Sequence, residues 1–218
     1  MGITTDLMGG RKQMKTTLYV TRHGETEWNV AKRMQGRKNS NLTEKGILQA
    51  KQLGDHIKDI PLHAIYSSPS GRTMHTAELI KGERNIPIIA DENFYEINMG
   101  IWEGQMLVDL EAQYPEEVHT FWNEPHRFCS TSGENFYDVY NRVMEGVNLL
   151  LEKHKGESIL IVSHAAAAKL LVGHFAGLSV ERVWDDPFMH SASLSIIEFE
   201  GKEASVKQFA NIRHFQQV

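Results

Sequence analysis

Ser158-Ile159-Leu160-Ile161-Val162 is an unbroken apolar run after its opening serine, and it is followed at once by Ser163-His164. A strand with one wet face alternates apolar and polar side chains, so a run without alternation predicts a strand buried on both faces, as in a parallel sheet covered by helices on either side. Thr16-Thr17-Leu18-Tyr19-Val20, rich in β-branched and aromatic residues, predicts a first strand that runs into the turn Arg22-His23-Gly24. His63 to Ser68 is another such run, stopped by Pro69, and Pro87-Ile88-Ile89 is a short one.

Helical spacing falls between these runs. Thr43 is an N-cap for a helix over about 43–58, with Ile47, Ala50, Leu53 and Ile57 on one face, although Gly46 and Gly54 weaken that pattern. Met74, Ala77 and Ile80 mark a helix after Pro69, and Ala165 to Phe175 is apolar and helix-compatible. Thr131 and Glu134 fit a capping box for a long helix along Phe136, Val139, Tyr140, Val143, Val147, Leu150 and Leu151. Ser193 to Phe199 and Val206 to Phe209 read as late strands joined through Gly201. Strands alternating with helices predict a three-layer α/β/α architecture with a mostly parallel central sheet.

The chain is expected to form a single domain over 14–218, preceded by a polar, flexible leader or extension over 1–13. Gln105 to Trp122 mixes helical spacing with Pro115 and many carboxylates, so a mobile cap over the sheet is expected at about 97–130. The net charge of -5 disfavours a nucleic-acid partner. No run approaches the roughly 20 apolar residues of a membrane span, and the N-terminus lacks a signal-peptide core. With its single cysteine, Cys129, outside any disulfide or ligand spacing, the expectation is a cytoplasmic protein without membrane partner, metal or cofactor. Oligomeric state is not legible.

In open α/β sheets ligands bind beyond the carboxyl ends of the strands. Arg22-His23 and Ser163-His164 both fall there, while Arg72, past the strand at Tyr66-Ser67, and Glu96, past Ile88-Ile89, can reach the same rim. Two histidines, two arginines and a glutamate suit phosphoryl transfer: an imidazole nucleophile, guanidinium forks for phosphate oxygens, and an acid for the leaving group. His164 can add a donor to the developing charge. Of the remaining histidines, His190 alone is carried forward as a site candidate, because the late strand can bring it back to the rim. Trp102, Phe121, Trp122, Phe128 and Met189 can line an apolar pocket or pack a core, and the sequence does not decide between these.

The segment Thr21-Arg22-His23-Gly24-Glu25-Thr26-Glu27-Trp28-Asn29 resembles the opening signature of the histidine phosphatase superfamily, which includes phosphoglycerate mutases. The resemblance continues through Leu42-Thr43-Glu44-Lys45-Gly46, Ser67-Ser68-Pro69-Ser70-Gly71-Arg72-Thr73, Glu96, Gly100-Ile101-Trp102-Glu103-Gly104 and Val162-Ser163-His164. It implies a phosphoglycerate mutase-like fold with His23 as phosphorylated nucleophile. Arg22, Arg72, His164 and Asn29 would hold the phosphoryl group, and Glu96 would be the proton donor.

Mutases of that family hold a doubly anionic substrate with extra cations. Here 97–126 contains no Lys or Arg, and Leu107 falls where the mutases place a substrate-binding lysine. The sequence therefore favours a phosphatase of small-molecule phosphomonoesters, with a mutase-type phosphotransferase as the alternative and a non-catalytic binding module as the third reading. Ala165-Ala166, where many relatives have glycine after the second histidine, and Ser191, where relatives commonly have asparagine, depart from the family pattern.

Overall fold

The computed structural model describes residues 15–201 and 203–215, so the expected leader lies outside the described residues. Strands β1 (Lys15–Arg22), β2 (Ala64–Ser67), β3 (Ile88–Ala90), β4 (Ser158–Ser163), β5 (Leu194–Glu200) and β6 (Glu203–Asn211) form one sheet in the order β3-β2-β4-β1-β5-β6. The first four are mutually parallel; β5 and β6 add antiparallel to β1 and to each other. The helices are α1 (Glu27–Val30), α2 (Glu44–His56), α3 (Gly71–Lys81), α4 (Leu107–Gln113), α5 (Pro115–Asn123), α6 (Phe136–Lys153) and α7 (Ala165–Phe175).

The apolar run in β4 sorts by period 2 onto two cores. Ile159 and Ile161 pack with Leu18, Val20 and Tyr66 under α6 and α7, while Leu160 and Val162 pack with Ile65 and Leu194 under α2 and α3. Both faces of the strand are thus dry, and a polar residue at any of the four positions would be stranded in one core or the other. Full burial of each such side chain stabilises the fold by about 1.5–3 kcal/mol.

Gly46, which weakens the helical pattern of α2, has a reason to be there. A Cβ at Gly46 would stand 2.0 Å from the Glu25 carbonyl oxygen, and one at Gly24 would stand 2.4 Å from the Gly46 carbonyl oxygen. The start of α2 and the turn after β1 therefore touch backbone to backbone, and helix propensity yields to that approach. Thr43 caps α2 as expected, accepting from Gly46 N–H.

One expectation changes. The N-cap of α6 is Asn135, whose side chain accepts from Tyr137 and Asp138 N–H while Asp138 reaches back to it, so the capping box lies four residues beyond Thr131. An amide accepts these orphan donors as well as a hydroxyl does, and that leaves Glu134 free for other partners. The region drawn as a cap is built of α4 and α5, whose Leu110, Val118 and Phe121 enter the larger core beside Trp102, Phe128 and Phe136. Those aromatics pack at centroid distances of 5.1–5.8 Å, so Trp102, Phe121 and Phe128 are foremost packing residues.

Candidate active site

The parallel register sets Arg22 beside Ser163 at the ends of β1 and β4, and His23 N–H donates to the Ser163 carbonyl at 2.9 Å. His23 and His164 thereby become neighbours on adjacent chains, edge to face with ring centroids 5.3 Å apart. His164 is also the N-cap residue of α7.

Hydrogen bonds assign both tautomers. His23 Nδ1 lies 2.8 Å from the Gly24 carbonyl oxygen, which only accepts, so Nδ1 carries the proton and Nε2 keeps its lone pair. His164 Nδ1 lies 2.9 Å from Arg72 Nη2, which only donates, so Nδ1 accepts and the Nε2 proton faces Ser68 Oγ at 2.9 Å and Ser70 Oγ at 3.2 Å. Burial, reinforced by the Arg72 and Arg22 charges, holds the pKa of His23 well below the ordinary imidazole value; burial and Arg72 do the same for His164. Both rings are neutral at neutral pH, and His23 Nε2 keeps an unshared lone pair. With both its nitrogens engaged, His164 orients Arg72 in this geometry, beyond the direct donor role expected of it.

Arg72 is 1% exposed. Its Nη1 donates to the Lys38 carbonyl at 2.6 Å and its Nη2 to the Gly36 carbonyl at 2.7 Å, in addition to His164. Burial lowers its pKa to about 10, with Glu96 opposing, so it stays charged at neutrality. Arg22 Nη1 donates to the Met189 carbonyl at 2.9 Å, and burial lowers this guanidinium too. Nε of Arg22 and Nε of Arg72 are buried without a protein acceptor, a pairing that suits them to an anion's oxygens. Because the Arg72 Nη2 hydrogens are both taken by protein groups, the two-pronged grip expected of that arginine narrows to Nε and the remaining Nη1 hydrogen.

Glu96, 7% exposed, follows β3 through a 3-10 turn at Glu92–Phe94. Its Oε1 accepts from Ile97 N–H at 3.0 Å and Ala167 N–H at 3.3 Å, and its Oε2 from Ala166 N–H at 3.2 Å. The carboxylate therefore sits on the N-terminus of α7, where free N–H groups and the helix dipole receive negative charge. Ala165 and Ala166, the departure from the family pattern, form part of the wall here.

Arg22, His23, Asn29, Arg72 and Glu96 line an inner chamber of ≈ 170 Å³, and His164 lies behind it against Arg72. Asn29 Oδ1 caps α1 by accepting from Thr26 N–H at 3.1 Å, so its Nδ2 group is the one left to donate. Arg22, Asn29, Arg33, Met34, Trp122 and Phe188 also line an outer chamber of ≈ 610 Å³. His190 and Leu107 line only that outer space. Of the undecided apolar residues, Trp122 faces both chambers, while Met189 is buried and serves through its carbonyl.

Sequence reasoning missed several residues. Arg33, Met34, Gln35 and Gly36 wall the inner chamber, and the only signal for them was their place directly after the Asn29 turn. Trp184 and Phe188 arrive from a loop without periodicity. Residues 97–126 carry no Lys or Arg, yet the outer chamber is lined by Lys32, Arg33 and Lys45. Two of these are engaged: Lys45 pairs with Glu25 at 2.9 Å, and Arg33 donates to the Gly104 carbonyl and lies over the Trp28 ring.

The family model of the histidine phosphatase superfamily (branch 1) matches residues 18–212. Among curated proteins, phosphoserine phosphatase 1 of Hydrogenobacter thermophilus is 32% identical over 84% of this chain and 86% of its own length. A probable phosphoglycerate mutase, GpmB, of Erwinia tasmaniensis is 34% identical over 74% of this chain and 75% of its own. The solved structure of YhfR from Bacillus stearothermophilus superposes with a TM-score of 0.89 at 42% identity, covering 91% of this chain and 98% of that one. The α-ribazole phosphatase of Shigella flexneri gives 0.81 at 29%, covering 89% and 96%.

Proposed function

The chain belongs to the histidine phosphatase superfamily, branch 1, and acts as a phosphomonoesterase through a phosphohistidine; from that premise we propose that His23 carries the phosphoryl group and Glu96 serves the leaving group. The observation that carries this reading is the fixed tautomer of His23. Its Nδ1 proton is spent on the Gly24 carbonyl, so the lone pair is on Nε2, and burial with two guanidinium neighbours keeps the ring unprotonated.

The Nε2 lone pair of His23 attacks phosphorus while the bond to the ester oxygen breaks, and the Glu96 carboxyl gives its proton to that oxygen. Arg22 and Arg72 receive the equatorial oxygens through their free N–H groups, with Asn29 Nδ2 as a further donor. A water then attacks the phosphohistidine, Glu96 takes its proton, and the P–N bond returns its electrons to His23. The two arginines supply the cationic field, so the reaction is proposed to need no metal or cofactor.

Water as acceptor, in place of a second substrate hydroxyl, is supported by the absence of Lys and Arg from 97–126 and by Leu107 in the outer wall. The proposal includes a small-molecule phosphomonoester as substrate, a single domain over 14–218 with the segment at about 97–130 lying over the site, and residence in the cytoplasm, where the free, exposed Cys129 is at ease. His190 is proposed only as a wall of the leaving-group space. No described helix is long and apolar enough to cross a membrane.

Brief mixing with a labelled phosphodonor followed by a quench should trap an acid-labile, alkali-stable phosphoenzyme, and His23→Ala should leave none. Normal labelling of that variant would overturn the assignment. Glu96→Gln should slow turnover most for substrates whose leaving groups need a proton, and equal slowing for all leaving groups would remove Glu96 from the role.

A further inference from the structure

Every N–H of one guanidinium outside the chamber is used, three on the segment that carries Glu96 and two on Glu134. Arg142, on α6, donates from Nη1 to the carbonyls of Asn93 at 2.8 Å and Tyr95 at 2.7 Å, and from Nη2 to that of Glu96 at 3.0 Å. Its remaining donors, Nε at 2.8 Å and Nη2 at 3.0 Å, go to Oε1 and Oε2 of Glu134. Five bonds are the full capacity of an arginine, and a lysine at this place has at most three donors from one point.

Glu134 extends the same arrangement. Its Oε2 accepts from Asn98 N–H at 2.8 Å, its own N–H donates to the Asn98 carbonyl at 2.8 Å, and its Oε1 accepts from Arg37 Nη2 at 3.0 Å. Arg37 lies between Gly36 and Lys38, the two residues whose carbonyls hold Arg72. Burial works to raise the Glu134 pKa, but the bonds from Arg142 and Asn98 and the Arg37 charge outweigh it, and the carboxylate stays ionised below the usual range. Both partners are mostly buried, at 16% and 18% side-chain exposure.

The segment from Asn93 to Asn98 follows a three-residue edge strand and is otherwise irregular. Backbone of that kind has no ladder to fix it, and its three anchors on Arg142, at Asn93, Tyr95 and Glu96, substitute for one. We infer that the Glu134–Arg142 pair is a positioning device for the acid: it sets the backbone of 93–98 so that the Glu96 carboxylate meets the leaving oxygen, and through Arg37 it ties that setting to the loop that holds Arg72. The inference rests on the proposed role of Glu96. Misplacement of a reacting group by about 1 Å costs up to about 100-fold in rate.

The experiment compares wild type, Arg142→Lys and Glu96→Gln on phosphomonoesters that share a phosphate end and differ in leaving-group pKa, from p-nitrophenyl to alkyl. Arg142→Lys should lose about 10-fold or more in kcat with alkyl leaving groups and much less with p-nitrophenyl, the same slope as Glu96→Gln in weaker form. In the double variant Arg142→Lys/Glu96→Gln, the lysine should add little to the loss from Glu96→Gln. A uniform loss across leaving groups, or additive losses in the double variant, would overturn the inference and leave Arg142 a stabiliser of the fold. If Glu96→Gln itself shows no leaving-group slope, it is the acid assignment that fails. Should Arg142→Lys not fold, Glu134→Gln, which keeps the shape and removes the charge, is read by the same two criteria.

Discussion

The inner and outer chambers share Arg22, Asn29, Arg33, Met34, Trp122 and Phe188 and differ in almost everything else. The inner one is small, and its reactive groups are buried and bonded to backbone: His23 to Gly24, Arg72 to Gly36 and Lys38, Glu96 to Ile97, Ala166 and Ala167. The outer one is larger, and it is walled by side chains such as Phe188, 60% exposed, and Trp122, 39% exposed. Buried polar groups that are locked in networks have one arrangement, whereas exposed side chains on loops can change without disturbing the core. On the proposed reading this divides the work: chemistry belongs to the sheet ends, and the leaving group to the loops.

The sharpest way to break that division is Arg72→Lys. A lysine keeps one positive charge and loses the planar set of donors that reaches Gly36, Lys38 and His164 at once. A fall of about 1000-fold or more in kcat/KM is expected, equal across substrates of every size, because the loss lies wholly at the phosphate end. Steady-state assays on a small and a bulky phosphomonoester check it. A loss that depends on the leaving group's size would show that the two chambers do not divide the work.

Acid tests both chambers together. His23 and His164 have pKa values pressed well below the ordinary 6.5, and His214, whose Nε2 donates to the Ala192 carbonyl beside the outer wall, is lowered to about 4, mainly by burial. Such groups are neutral in both folded and unfolded chains above pH 6.5. Below it the unfolded chain takes up protons that the native one refuses, so stability falls as pH drops from 6.5 toward the folded values. For His214, discounted because solvent still reaches and screens the ring, the loss between pH 7 and 5 is about 1 kcal/mol. Urea unfolding across that range should show the decline, and His214→Gln should remove only its own share. An unchanged pH slope in that variant would mean that the ring is not held neutral.

The contrast between chambers also explains what was legible in the sequence. The apolar run of β4 and the motif around His23 announced themselves because a doubly buried strand and a backbone-to-backbone turn tolerate few residue types, as Gly24 and Gly46 show. His23, Arg72, Glu96 and His164 could be placed from strand ends alone, since a parallel sheet brings such ends to one rim. Glu134 was misread as half of a capping box because its spacing from Thr131 fits one, while its partner Arg142 stands on a helix face that periodicity describes only as polar. Phe188 and Trp184 come from a loop whose course depends on anchors such as Lys169, which donates to the carbonyls of Asp185 and Pro187. No local pattern announces a contact of that kind.

The mildest change falls on the outer chamber. Phe188 is a large apolar side chain with most of its surface in water, and it lines both chambers together with Met34 and Trp122. Truncation to alanine exposes no core and removes no charge, so the fold and the phosphate end should be untouched. What it removes is apolar contact with a leaving group that extends outward, worth about 1–2 kcal/mol for a side chain partly covered by ligand. Phe188→Ala should therefore raise KM by about 5–30-fold for phosphomonoesters with bulky apolar leaving groups and leave kcat nearly unchanged. Substrates too short to reach Phe188 should show neither effect. Equal changes for short and long substrates would mean that Phe188 acts on the inner chamber after all, through its chain neighbour Met189 and the carbonyl that holds Arg22.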